Sequence, residues 1–251
     1  MLIMNEVKDA ERIIDRDITG YRPAMAMGVL AKYYIKKHGK TVGETKKLIE
    51  ECIVDNWPYI NISDWSDYID KVIKRAKKFP LKEIEEIPIT QKEIDVISSF
   101  PVKRHQKLAF TLLVIAKFNY MVSGHEWVNN SLDEINKAAG ITWRSVKDKC
   151  LDVHELYIRG LVVFPKRVDS TSIKVLYMDK DGEAVMKVKS FDNVGKVWVT
   201  YNNEDYKQCV DCGKPFEVSG KSRGRKIRCN NCQQTYRLKY KADKEKEYRG
   251  S

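Results

Sequence analysis

The sequence predicts an α+β fold, mainly helical at its N-terminal end, mixed in the middle and closed by a small metal-stapled unit. Three observations predict it. Apolar residues recur at three- and four-residue spacing up to about residue 80, β-type runs follow the helices beyond residue 160, and two CxxC pairs stand near the end. The chain has 251 residues, 43% of them apolar, with 13 Gly and 7 Pro. Such a composition excludes a disordered tail and a glycine-repeat polymer, and the length suits one large domain or two or three small ones.

After a short amphipathic lead, Tyr21-Arg22-Pro23 opens a helix to about His38. Pro23 suits the first turn, where its missing N–H is not needed. A second helix runs from about Thr41 to Asp55 and is broken at Trp57-Pro58. A third starts near Ser63, carries Trp65, Tyr68, Ile69, Val72, Ile73 and Ala76 at helical spacing, and stops at Phe79-Pro80. These make a helical domain over residues 1–80. The charged, Pro-bounded segment 81–89 reads as a linker.

Residues 90–204 form the middle domain. Thr90-Gln91-Lys92-Glu93 is a capping-box pattern. An apolar helix follows from about Val102 to Met121. Its apolar run is interrupted by Lys117 and Asn119 and falls short of the roughly 20 residues a membrane span needs. The N-terminus has no basic stretch ahead of its apolar patch, so neither a signal peptide nor a membrane partner is expected. A second capping box, Ser131 to Glu134, starts a short helix ending at Ala139-Gly140. Thr142 then caps a longer helix that ends at Arg159-Gly160. β-type runs at Leu161–Phe164 and Ile173–Tyr177 follow, joined by a turn-rich connector. Two further short strands are expected near Ala184–Val188 and Lys196–Thr200.

Helix, short helix, glycine turn, long helix and hairpin is the order of a winged helix-turn-helix. In the long helix Val146, Cys150, Val153 and Leu156 or Tyr157 make the expected buried stripe. Trp143, Arg144, Lys147 and Lys149 then point outward at the N-terminal end, where a recognition helix meets base edges and phosphates. Arg144 and Lys147 are the candidate groove contacts, with Lys166, Arg167 and Lys174 on the hairpin beside them. Asp133, Glu134, Asp148, Asp152 and Glu155 offset this charge, which equally suits a protein-interaction module.

Residues 205–251 carry the strongest signal. Cys209-Val210-Asp211-Cys212 and Cys229-Asn230-Asn231-Cys232 are CxxC pairs separated by 16 residues. Each pair turns two thiolates toward one ion, and together they complete a four-sulfur shell that selects Zn²⁺ or iron over hard cations. Gly213 permits the positive φ that such a turn requires. A redox dithiol would stand near a βαβ pattern, and the sequence has none. Cysteine usage of this kind points to a reducing cytoplasm.

Charge concentrates on this zinc ribbon. The chain carries 46 Lys and Arg against 35 Asp and Glu, and Lys214–Lys241 alone holds nine basic residues against Glu217. A field that concentrated attracts phosphate polymers, anionic lipid heads or an acidic protein face. Nucleic acid is the expected partner, DNA favoured over RNA. Lys221, Arg223, Arg225, Lys226, Arg228 and Arg237 are the candidate phosphate contacts, and interleaved tyrosines offer stacking surfaces.

Catalysis has no positive sign. P-loop, dinucleotide, HExxH and GxSxG patterns are absent from the sequence, and His38, His105, His125 and His154 are scattered. Asp64, Asp67 and Asp70 read as a solvated helix face. The segments KLAFTLLVIAKF (Lys107–Phe118), Trp127-Val128-Asn129, Leu161–Phe164 and CVDCGKPF…CNNCQQTYR resemble uncharacterised proteins encoded by bacteriophages and prophages of Gram-positive bacteria. The resemblance spans about residues 90 to 240 and implies an accessory protein in a bacterial cytoplasm, near viral replication, transcription or host takeover.

The expectation is a non-enzymatic nucleic-acid-binding protein that regulates transcription or replication. Its rival is an interaction factor that inhibits or redirects a host protein, such as a polymerase subunit or defence factor, through Trp57, Tyr59, Trp65 and Tyr68.

Overall fold

Residues 3–142, 145–165, 172–191, 193–201, 206–218 and 226–249 are described by the computed structural model of the chain, which is mixed α/β with helix predominating. The chain divides into two compact units, the second starting at Glu86.

The first unit has four helices: α1 (Glu6–Ile14), α2 (Pro23–Lys32), α3 (Val42–Asn56) and α4 (Ser66–Lys78). Local chemistry sets their ends. The Asn5 side chain accepts the Val7 and Lys8 N–H groups at the start of α1, Pro23 opens α2, and Thr41 and Glu44 form a reciprocal capping box on α3. Beyond α2 the chain continues as one π-helical turn, Tyr33–Lys37, and a 3₁₀ turn, Ile62–Trp65, leads into α4. Helix α2 buries Ala26, Met27, Val29, Leu30 and Ala31, because α1, α3 and α4 all pack against it. Trp57 is buried with this core and is not part of a contact surface, whereas Tyr59 is 78% exposed.

The segment expected to be a linker, 81–89, contains the boundary between the two units, after Glu85. Its first half closes the first unit through backbone bonds from Glu6 N–H to the Lys82 carbonyl and from Ile84 N–H to the Met4 carbonyl. Its second half begins strand β1 (Ile87–Thr90) of the second unit. Charge and proline suit a segment whose backbone makes the contacts.

Helix α6 (Lys103–Ser123) is the centre of the second unit and follows α5 (Gln91–Ser98). Every residue of α6 from Leu108 to Phe118 is buried. It continues into β2 (Trp127–Val128), α7 (Leu132–Ala139), α8 (Val146–Ile158), β3 (Val162–Val163) and β4 (Ile173–Val175). Strand β4 lies between β2 and β3, antiparallel to both. Strand β5 (Ala184–Val188) pairs antiparallel with β1, and helix α9 (Val194–Thr200) packs on α6. Among the described residues no helix is long and apolar enough to cross a membrane.

Three expectations are corrected here. Residues 196–200 lie in α9 and not in a strand: Val194, Val197 and Trp198 fall on one helical face that buries against α6, which overrides their β preference. Helix α8 is capped by Ser145, which accepts the Asp148 N–H, rather than by Thr142. Its buried stripe keeps Val153 and Leu156 but has Asp152 in place of Cys150. Asp152, Val153 and Leu156 point inward while Cys150 and Tyr157 are exposed, since Asp152 is drawn in by Arg104 at 2.8 Å and His105 at 2.9 Å on α6.

Two buried features are critical to the second unit. Lys117 on α6 donates to the Glu93 carboxylate and to the Pro88 carbonyl, both at 2.7 Å, and Glu93 also accepts the Thr90 and Asp179 N–H groups. Gly195 lets α9 approach the end of α7: a Cβ there would lie 1.9 Å from the Ala139 carbonyl oxygen.

Lys117→Ala leaves a fully buried carboxylate unpaired and should lower the unfolding free energy by about 3–5 kcal/mol in urea titration. Arg159→Ala, which breaks the partly exposed pair with Glu155, should cost under about 1 kcal/mol. Gly195→Ala should destabilise by roughly 1–3 kcal/mol, because a backbone atom has to move to admit the methyl group.

Candidate metal centre

The C-terminal part of the second unit is a hairpin followed by a long helix. Strand β6 (Tyr206–Gln208) pairs antiparallel with β7 (Pro215–Glu217), and α10 spans Asn230–Arg249. The first CxxC occupies the turn between β6 and β7. There the Gly213 N–H donates to the Cys209 carbonyl at 2.8 Å and the Cys209 N–H to the Lys214 carbonyl at 3.0 Å. Gly213 has φ +67°, and a Cβ on it would sit 2.6 Å from the Lys189 Cβ, so both conformation and space require glycine. The second CxxC straddles the first turn of α10. A backbone bond from Val210 N–H to the Ile227 carbonyl at 3.1 Å draws the two together.

Cys209, Cys212, Cys229 and Cys232 thereby bring all four sulfurs within 4.8 Å of one another. A tetrahedral ion with metal–sulfur bonds of about 2.3 Å requires sulfurs about 3.8 Å apart. The Cys212 and Cys229 sulfurs lie 3.8 Å apart, far beyond the roughly 2.05 Å of a disulfide, and all six cysteines are free. The set fits a single closed four-thiolate site, which leaves no open position for a substrate.

Electrostatics favour an ion there. Burial pushes the Cys209 thiol up, but the Cys212, Cys229 and Asp211 N–H groups outweigh it and bring the thiol down to about 7. Burial raises Cys212. Cys232 is raised strongly, by burial first and then by the neighbouring sulfurs. One thiol is thus ready to ionise, and a cation between the sulfurs lets the others follow.

The expected phosphate contacts divide into three groups. Lys221, Arg223, Arg225 and Arg144 lie outside the described residues. Arg237 on α10 and Lys147 on α8 are exposed. Lys226 and Arg228 are half-buried and already engaged. Lys226 donates to the Asn230 side chain at 2.8 Å and lies over the Phe216 ring. Arg228 bonds the Asp211 carboxylate at 2.8 Å and lies 4.3 Å from the centre of the Tyr236 ring.

The Asp211–Arg228 pair is a clasp that sequence reasoning missed. Each residue immediately precedes a cysteine, Cys212 or Cys229, and opposite charges at matching positions were the available signal.

Elemental analysis of the purified chain should return about one zinc per molecule, bound with the affinity of a structural site. Cys212→Ser and Cys232→Ser should lose the metal and with it the ordered amide signals of the β6–β7 hairpin. Cys52→Ser and Cys150→Ser should retain both. Comparison with known protein families, with curated proteins and with solved structures gives no match to this chain.

Proposed function

We propose that this chain is a non-enzymatic nucleic-acid-binding protein whose zinc-stapled ribbon holds a cationic surface against a phosphate backbone. The observation that carries the proposal is charge anchored to a built centre. The four sulfurs fix the start of α10, and Arg237, Lys239 and Lys241 stand exposed on the following turns. From Val218 to Ala242 the sequence contains no carboxylate, and acidic residues return on the same helix only at Asp243, Glu245 and Glu247. Charge held on a rigid support binds polyanions with less ordering cost than charge on a free tail. On the resemblance to phage-encoded proteins, the role is accessory to viral transcription or replication in the bacterial cytoplasm, with DNA the favoured polymer.

The middle of the second unit is read as a winged helix. Supporting this is the order α6, β2, α7, α8, β3, β4 with β4 central in its sheet, and a turn of α7 into Gly140 at φ +60°. A second reading, protein docking to a host factor, draws on one observation. The exposed side of α8 presents Cys150, Leu151, His154, Tyr157 and Ile158, with the Phe164 ring tilted against Tyr157 at 5.6 Å between centres. That side is more apolar than a groove-reading helix needs.

Fluorescence polarisation with labelled oligonucleotides tests the main reading. Affinity should fall steeply between about 50 and 200 mM salt, and each of Lys221→Gln, Arg223→Gln and Arg237→Gln should reduce the salt slope by about 1. Absence of binding to DNA and RNA at about 50 mM salt overturns it.

A further inference from the structure

Helix α10 has no buried side chain among those described, yet it carries three large exposed apolar residues: Tyr236 at 49%, Leu238 at 62% and Tyr240 at 55%. Tyr236 and Tyr240 are four positions apart and therefore lie one above the other on a single face. Arg237 and Lys239 flank that face on its two sides, and both are exposed. Tyr236 is also held in place. The Arg228 guanidinium covers one side of its ring at 4.3 Å, and Arg228 is itself fixed by Asp211 between the two cysteine knuckles. A ring positioned from the metal centre, with a second ring one turn further on and cations beside both, is a stacking platform.

We propose that this face of α10 binds single-stranded nucleic acid, successive bases stacking on Tyr236 and Tyr240 while the backbone passes Arg237 and Lys239. This rests on the nucleic-acid reading above and narrows it. The spacing decides between single strand and duplex. Four residues of α-helix advance about 6 Å, nearly twice the roughly 3.4 Å step between stacked bases of a duplex strand. In a duplex each base face is covered by its neighbours, so neither ring finds a partner. An unstacked strand can open its steps to match the two rings. Stacking of this kind is indifferent to sequence, because every base has a π face. Charge favours nucleic acid over an apolar protein surface, since Arg237, Lys239 and Lys241 surround the rings and the first carboxylate beyond them on α10 is Asp243.

The test uses the full, metal-loaded chain with a labelled oligothymidylate of about 16 nucleotides and a hairpin duplex of similar charge. The single strand should bind more tightly. Tyr240→Ala and Tyr236→Ala should each weaken it about tenfold, leave duplex binding unchanged and leave the zinc content intact, while Tyr→Phe at either position should retain affinity. Among the described residues Tyr240 makes no ring contact with the ribbon, so its replacement tests stacking without disturbing the clasp. Equal affinity for the two forms, or full single-strand affinity after Tyr240→Ala, overturns this proposal while leaving the broader reading intact. Failure to bind either probe at about 50 mM salt overturns both.

Discussion

Four sulfurs confined within 4.8 Å of one another can be ionised together only around a cation. Everything at the C-terminal end of the chain depends on that constraint. The apolar support is slight: among the described residues, Phe216 and Val218 are the side chains buried with Cys209 in the ribbon's own cluster. Two such side chains supply on the order of 3–6 kcal/mol, and an ion held by the four sulfurs would outweigh them, since structural zinc sites contribute about 10–16. The same argument explains the clasp: with so little buried surface, the 2.8 Å ion pair between Asp211 and Arg228 gives the two knuckles a fixed orientation that packing alone does not.

The rest of the second unit is organised around one helix. Because α6 is covered by α5, α7, α8, α9 and the short strands, it has no solvated stripe over Leu108–Phe118, and its polar groups must find internal partners. Lys117 reaches Glu93 and Pro88, Asn119 donates to the Trp127 carbonyl, and Gln106 joins Phe100 to Trp198. These bonds tie β1, β2 and α9 to the same rod. The ribbon belongs to this assembly as well. Gly213 lies directly against Lys189 and β7 packs near α9, so the metal centre is not a module on a free tether.

The legible parts of the chain were those where local chemistry decides. Capping residues such as Thr41, Thr90 and Ser131, the left-handed stops at Gly140 and Gly160, and the cysteine spacing act over a few residues and survive any tertiary arrangement. What escaped was decided by distant partners. Val194–Thr200 has the composition of a strand and is helical because α6 offers a flat face to cover. The two-residue strand β2 carries too little pattern to be seen. Glu93 looked like half of a cap, and its link to Lys117 spans 24 positions. On α8 the apolar periodicity placed Val153 and Leu156 in the core, but it also put Cys150 there and did not show that Asp152 is buried against Arg104 and His105.

The exposure of α8 bears on how the two surfaces of the second unit differ. Lys147 is exposed there, but it has apolar company. The exposed side of the helix is studded with Leu151, Tyr157 and Ile158. Phosphates gain little from such a surface, and an apolar partner gains a good deal. On the ribbon the balance is opposite: cations are dense, carboxylates sparse, and the exposed apolar groups are mainly tyrosines, whose flat rings suit bases. On the proposed readings, a nucleic-acid strand would meet the tyrosines and cations of α10, whereas a protein partner would meet the apolar side of α8.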